Sequence, residues 1–195
     1  PHDVEPTPRA AREMDRADLL LLVGLGLEDA WLGDLLRRSR NPAVRPGQPG
    51  HLDLGSQVRP PAAASSAGGD SSVHSGGNPH YLLDPLEGIL AARRIRDRLS
   101  DLRPSWKAEF HTRAEEYLLK LATALVGETC ARTDDPVALA EEFARLATTE
   151  EVASFLRRHP VAGWLGRLAP HRGRPLVGDH DLWPYFAHRC GLRVI

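Results

Sequence analysis

Hydrophobic positions along the chain follow two patterns, one of short unbroken runs and one of helical periodicity. Leu19 to Val23 is a five-residue apolar run without alternation, which predicts a strand buried on both faces of a parallel sheet. Gly24 and Gly26 close it. Ahead of that run, Thr7 stands where an N-cap belongs and Pro8 where a first helical residue belongs, so a short helix is expected to end near Asp15. After it, Leu27, Ala30, Trp31 and Leu35 recur with charges between them, predicting an amphipathic helix over 27–37. His51-Leu52-Asp53-Leu54 is a candidate second strand. Further on, Ile89, Ala92, Ile95, Leu99 and Leu102 step by three and four, opened by Asp84 as cap, Pro85 at the first position and Glu87 beyond. Phe110, Ala114, Tyr117, Leu118, Leu121 and Leu125 share one face of a helix predicted from Pro104 to about Gly127, a length of roughly 35 Å. Two more helices are predicted over 136–147 and 150–158, the second carrying Thr148 and Glu151 as a capping pair. Pro175-Leu176-Val177 predicts a strand, 182–189 a helix, and Gly191 to Ile195 a strand-like end.

Helices alternating with short apolar runs are α/β grammar, and parallel strands need neighbours. Because the chain stops within a predicted strand, more of that lobe is expected beyond Ile195. Between Pro60 and Pro79, sixteen of twenty residues are Pro, Ala, Ser or Gly. Such a composition cannot offset the entropy of ordering, so a mobile surface loop is expected over 55–79.

Composition narrows the function classes. Lys and Arg number 25 against 26 Asp and Glu, a net charge of -1, so no basic field exists to hold a nucleic-acid backbone. No apolar stretch approaches the roughly 20 residues of a membrane span. The opening Pro1-His2-Asp3 is polar rather than a leader, so an exported protein would have lost its signal or lack it here. Cys130 and Cys190 form no Cys-x-x-Cys pair, which excludes a zinc ribbon or thioredoxin motif and leaves their pairing open. Phosphate-loop, His-Glu-x-x-His and Gly-x-Ser-x-Gly motifs are absent, and Gly24-Leu25-Gly26 lacks the third glycine of a dinucleotide loop.

Nine histidines are the main polar resource. His2, His80 and His180 each sit where a strand or loop feeds a helix, the place at which open α/β sheets bind ligands. Imidazole is the commonest metal ligand, and each of the three has acids nearby to orient its ring: Asp3 and Glu5, Asp84, and Asp179 and Asp181. His74 lies in the Pro/Ala/Ser/Gly stretch six residues before His80, where it could assist capture. Spacings of 78 and 100 residues mean that only the fold can unite the three. Taken singly, each is as readily a loop histidine satisfied by its neighbour, and His111, His159, His171 and His188 are expected to be solvated or capping.

Taken in order, these segments resemble the zinc- and manganese-binding solute-binding proteins of bacterial ABC transporters. Pro1-His2-Asp3-Val4-Glu5-Pro6-Thr7-Pro8 is similar to that family's first histidine loop, and Gly24 to Leu32 to its next strand-to-helix turn. Asn78-Pro79-His80-Tyr81-Leu82-Leu83-Asp84-Pro85 resembles the second histidine loop. Asp179-His180-Asp181, with Trp183, Tyr185-Phe186 and Gly191-Leu192, resembles the third. The resemblance implies an α/β fold of two open parallel-sheet lobes joined by a long helix. It divides the chain into an N-terminal metal-binding lobe over 1–103, a connecting helix over 104–130, a helical insertion over 131–172 and the start of a second lobe over 173–195. Both termini would then be truncated relative to the family. His2, His80 and His180 are the implied ligands, with Glu5, Asp84, His74 and Asp181 auxiliary, and a fourth, carboxylate ligand is expected beyond Ile195. Val4 stands in place of the usual aromatic, Leu82 in place of the usual Trp, and the 131–172 stretch is longer than usual.

Three imidazoles suit Zn2+, whereas Mn2+ prefers more oxygen ligands, so zinc is the expected cargo and manganese the second candidate. The implied protein is a non-catalytic, monomeric, extracytoplasmic receptor, periplasmic or on the outer face of the cytoplasmic membrane, handing metal to an ABC permease. Two other classes compete. A zinc hydrolase would use the open position of a three-His site, and an adhesion or scaffold protein would carry the histidines incidentally.

Overall fold

The computed structural model describes residues 6–61, 77–178 and 181–195. Their elements run in the order α1 (Pro8–Met14), β1 (Leu20–Leu22), α2 (Asp29–Arg38), β2 (His51–Asp53), α3 (Pro85–Leu102), α4 (Lys107–Val126), α5 (Glu128–Thr133), α6 (Pro136–Arg145), α7 (Thr149–Arg158), α8 (Gly163–Leu168), β3 (Pro175–Leu176), α9 (Pro184–Cys190) and β4 (Arg193–Val194). Both sheets are parallel pairs, β1 with β2 and β3 with β4. The chain divides into two compact units. One takes in Pro1–Arg59, Gly69–Pro79 and Arg93–His111, and the other Pro60–Gly68, His80–Ala92 and Thr112–Ile195. This division differs from the 1–103 lobe read from the sequence, because His80–Ala92 groups with the later helices.

In the first unit, Leu20 pairs with His51 and Leu22 with Asp53. The apolar run is not buried on both faces as its composition predicts. Leu21 is 44% exposed, since the described sheet has two strands and leaves one side of β1 uncovered. The helix expected from Leu27 starts at Asp29 instead, because Gly24, Leu25 and Gly26 all adopt positive φ (81°, 54° and 86°) and turn the chain first. A Cβ on Gly24 would lie 2.0 Å from Asp53 Oδ1, so that position tolerates only glycine. Met14, Leu35 and Val44 form a small core, with Ala10, Leu20, Trp31 and Leu36 packed against it.

Polar side chains bind the rest of this unit. Asn41 Nδ2 donates to the carbonyls of Met14 and Ala17, and its Oδ1 accepts from Ala43 N–H. Asp15 accepts from Ser39 Oγ and Arg40 N–H, contacts that hold its carboxyl below the usual carboxylate range. From α3, Arg94 donates to Leu54 O at 2.6 Å, and Arg98 donates to Pro49 O and His51 O at 2.7 and 2.6 Å. Four residues apart on one helical face, the two guanidiniums satisfy carbonyls in and beside β2 that the ladder leaves unpaired. The start of the stretch expected as a mobile loop is ordered: Gly55–Gln57 forms a 3-10 turn and Val58 is buried. Residues 62–76, including His74, lie outside the described residues.

The second unit is built differently. Fifteen buried residues, among them Leu86, Ile89, Leu125, Val126, Phe143, Phe155 and Leu165, form one core, with Phe143 and Phe155 edge to face at 5.6 Å. Asp135 caps α6, and Thr148 with Glu151 completes the capping box predicted for α7. Pro104 opens a 3-10 turn before the α-helix proper begins at Lys107. Two short helices had no periodic signal. Gly127 (φ 90°) breaks the long helix where a Cβ would come within 2.8 Å of Ala162, and α5 follows it. At Gly163 a Cβ would meet Leu125 O at 2.4 Å, and α8 starts there. Cys130 and Cys190 are both free thiols within the core. Burial pushes both upward, Cys190 to about 12. Among the described residues, no helix is long and apolar enough to cross a membrane.

Candidate metal centre

Of the three histidines singled out, His80 is described, whereas His2 and His180 lie outside the described residues, as do Glu5 and Asp179. Among the described residues, no group of three or more His, Cys, Asp or Glu side chains is placed to hold a metal. Of the candidate ligands, His80 alone lies in a segment whose structure is described.

That segment is a 3-10 turn, His80–Leu83, running directly into α3. His80 is half-buried, Tyr81 is 1% exposed, and Leu82 and Leu83 face solvent at 42% and 39%. Tyr81, rather than Leu82, is the buried residue of the turn. Asp84 N–H donates to Tyr81 O at 2.9 Å and closes the turn. The Asp84 side chain, itself 1% exposed, accepts from Leu86 N–H through Oδ1 at 3.0 Å and from Arg189 Nε through Oδ2 at 2.9 Å. Burial pushes this carboxyl above its ordinary range, with Arg189 opposing the shift. Asp181 is described and half-buried.

Three aromatic contacts frame α9. Tyr81 meets Tyr185 edge to face at 6.2 Å, and Phe186 receives both Trp164 and Trp183 at 5.8 Å. Burial, then the nearby Glu87 and Asp181 charges, pushes the Tyr185 hydroxyl up to about 12. Other histidines have structural partners: His51 Nδ1 lies 2.9 Å from Val44 O, and the His159 ring meets that of Phe155 at 5.0 Å, tilted by 42°.

In the first unit, the loop after β1 is clamped by a residue that sequence reasoning passed over. Glu28 is 8% exposed, and its two oxygens accept from Val23 N–H at 2.9 Å and Gly24 N–H at 3.0 Å. Its only sequence signal is an acid directly after a glycine-rich turn.

Residues 1–158 match the family described as ZnuA, zinc-uptake complex component A, periplasmic. The chain belongs to the zinc-uptake component A family. No curated protein matches the sequence significantly. Solved structures with the family's fold include ZnuA itself, at 20% identity and TM-score 0.60, covering 100% of this chain and 56% of that one. Zn(II)-bound AdcA from Streptococcus pneumoniae is 20% identical with TM-score 0.58, covering 100% of this chain and 31% of that one. A manganese-bound variant of the periplasmic metal-binding protein from Candidatus Liberibacter asiaticus is 17% identical with TM-score 0.58, covering 100% and 54%. At these identities the likeness establishes the α/β solute-binding fold. This member of the zinc-uptake component A family spans about half the length of ZnuA.

Proposed function

We propose that this chain is the metal-binding region of an extracytoplasmic receptor that holds a divalent transition-metal ion, foremost Zn2+, and delivers it to the permease of an ABC importer. The observation that carries the reading is the family match over residues 1–158, which takes in both His2 and His80. His180 lies beyond that match. Its role rests on the Asp179-His180-Asp181 motif and on fold relatives that are aligned over the whole chain.

Relatives of this fold are solved with Zn(II) and with manganese bound, so the fold alone does not choose the ion. The donor set does. Three neutral imidazoles, with at most one carboxylate, match the tetrahedral nitrogen-rich preference of zinc, and manganese would call for more oxygen. His80 is presented from a turn closed by Asp84 N–H on Tyr81 O and anchored by the buried Tyr81, which favours a ligand ordered before the metal arrives. Glu5, Asp84, His74 and Asp181 are proposed as auxiliary groups around the ligands.

Competition with a chromophoric chelator tests this reading. The chain is expected to take up one zinc, and His80→Ala to weaken it by more than about tenfold. Equal affinity in the wild type and His80→Ala would remove His80 from the site.

A further inference from the structure

His80 depends on a turn too short to hold itself. A 3-10 helix of one turn has poor hydrogen-bond geometry and little intrinsic stability, so the placement of its side chains is set by what it packs against. Two anchors hold it, and both come from one face of α9. Tyr185 receives the ring of Tyr81, and Arg189, four residues further along, donates to Asp84. Tyr81, Asp84 and Tyr185 are 1%, 1% and 3% exposed, and the Arg189 side chain is 11% exposed.

The two oxygens of Asp84 divide the labour. Oδ1 caps α3 through Leu86 N–H, and Oδ2 takes Arg189. Helix capping therefore does not require Arg189, whereas docking of the turn does. We infer that Arg189, seconded by Tyr185, is a positioning residue: it locks the His80 turn onto α9 and thereby sets the metal affinity of His80. The inference rests on the reading of His80 as a ligand for its metal consequence and on the geometry of this unit for its mechanical one. Removing one partner of a buried ion pair leaves the other charge uncompensated, so Asp84 would keep only its bond from Leu86 N–H and the turn would loosen from α9.

The test uses the whole chain with zinc and a chromophoric chelator, together with amide exchange on metal-free protein. Arg189→Met is expected to lower zinc affinity about 10- to 100-fold, the range typical of groups that orient a ligand, and to speed exchange of the Asp84 amide. Exchange in the Val152–Phe155 core should stay as in the wild type. Arg189→Lys, which keeps the charge, should restore most of the affinity. Arg158→Met, which breaks an exposed pair with Glu142 in the same unit, should change neither readout. A folded Arg189→Met with wild-type affinity and wild-type Asp84 exchange would overturn the inference. Should Arg189→Met fail to fold, Tyr185→Leu decides: a weaker site and faster Asp84 exchange support the inference, and no change in either overturns it. If the wild type binds no zinc, the receptor reading fails, while the exchange data still decide whether Arg189 holds the turn.

Discussion

The two units of this chain are stabilised by different physics. In the second, fifteen buried residues from seven helices and their connections share one apolar core, and stability scales with the area removed from water. In the first, the core under α1 and α2 gathers three buried residues, and the backbone is tied down by side chains: Asn41, Asp15, Glu28, Arg94 and Arg98 all bond to main-chain groups. The sheet and its flank bury Leu22, Leu52, Leu54 and Val58 as well, and polar contacts fix the loops around them. The lesson is that the two units should respond to different perturbations.

The largest expected effect comes from the apolar side. Phe155→Ala, at a fully buried position packed on Phe143, should cost about 3–5 kcal/mol in urea unfolding, and slow-exchanging amides of α6 and α7 should lose protection first. Asn41→Ala strikes the polar side. It removes the Asn41 amide from the Met14 and Ala17 carbonyls, of which Met14 O keeps Ala17 N–H, and should cost about 1–3 kcal/mol, with exchange accelerating around α1 and β1 while α7 is unaffected. Equal acceleration in both units would break the distinction. Thr148→Ala removes a cap on the second unit and should cost about 1 kcal/mol.

The smallest effect is acid-dependent. Glu151 accepts from the Ala147 and Thr148 amides, and these bonds, foremost the one from Ala147, hold its carboxyl below the ordinary 4.5. A lowered folded value means that the stabilisation is present above 4.5 and is lost as pH falls through the folded value. Glu151→Gln should therefore lower the stability of α7 at neutral pH and flatten its acid limb, the two proteins converging below the folded value, as followed by exchange.

Local signals were legible where one residue does one job. Thr7 before Pro8 and Thr148 before Glu151 mark helix starts that the structure has, and the Leu19–Val23 run marks β1. Breaks forced by packing were not legible. Gly163 begins α8 where Leu125 O leaves no room for a Cβ, and nothing in its own sequence says so, whereas the end of the long helix near Gly127 agrees with the sequence pattern. Arg94 and Arg98 read as surface charge yet bond to strand and loop carbonyls. The same limit applies to the site. His80 stood out by its place before a capped helix, whereas Arg189, 105 residues away from Asp84, is joined to it only by the fold.

Thermal unfolding of chelator-stripped protein, with and without zinc, decides whether the chain binds a metal through His80 as proposed. A ligand that binds only the native state stabilises it by about 4 kcal/mol at a thousandfold excess over its Kd. A zinc-dependent rise in Tm that is largely lost in His80→Ala is expected. A rise of the same size in His80→Ala, or none in the wild type, would contradict it.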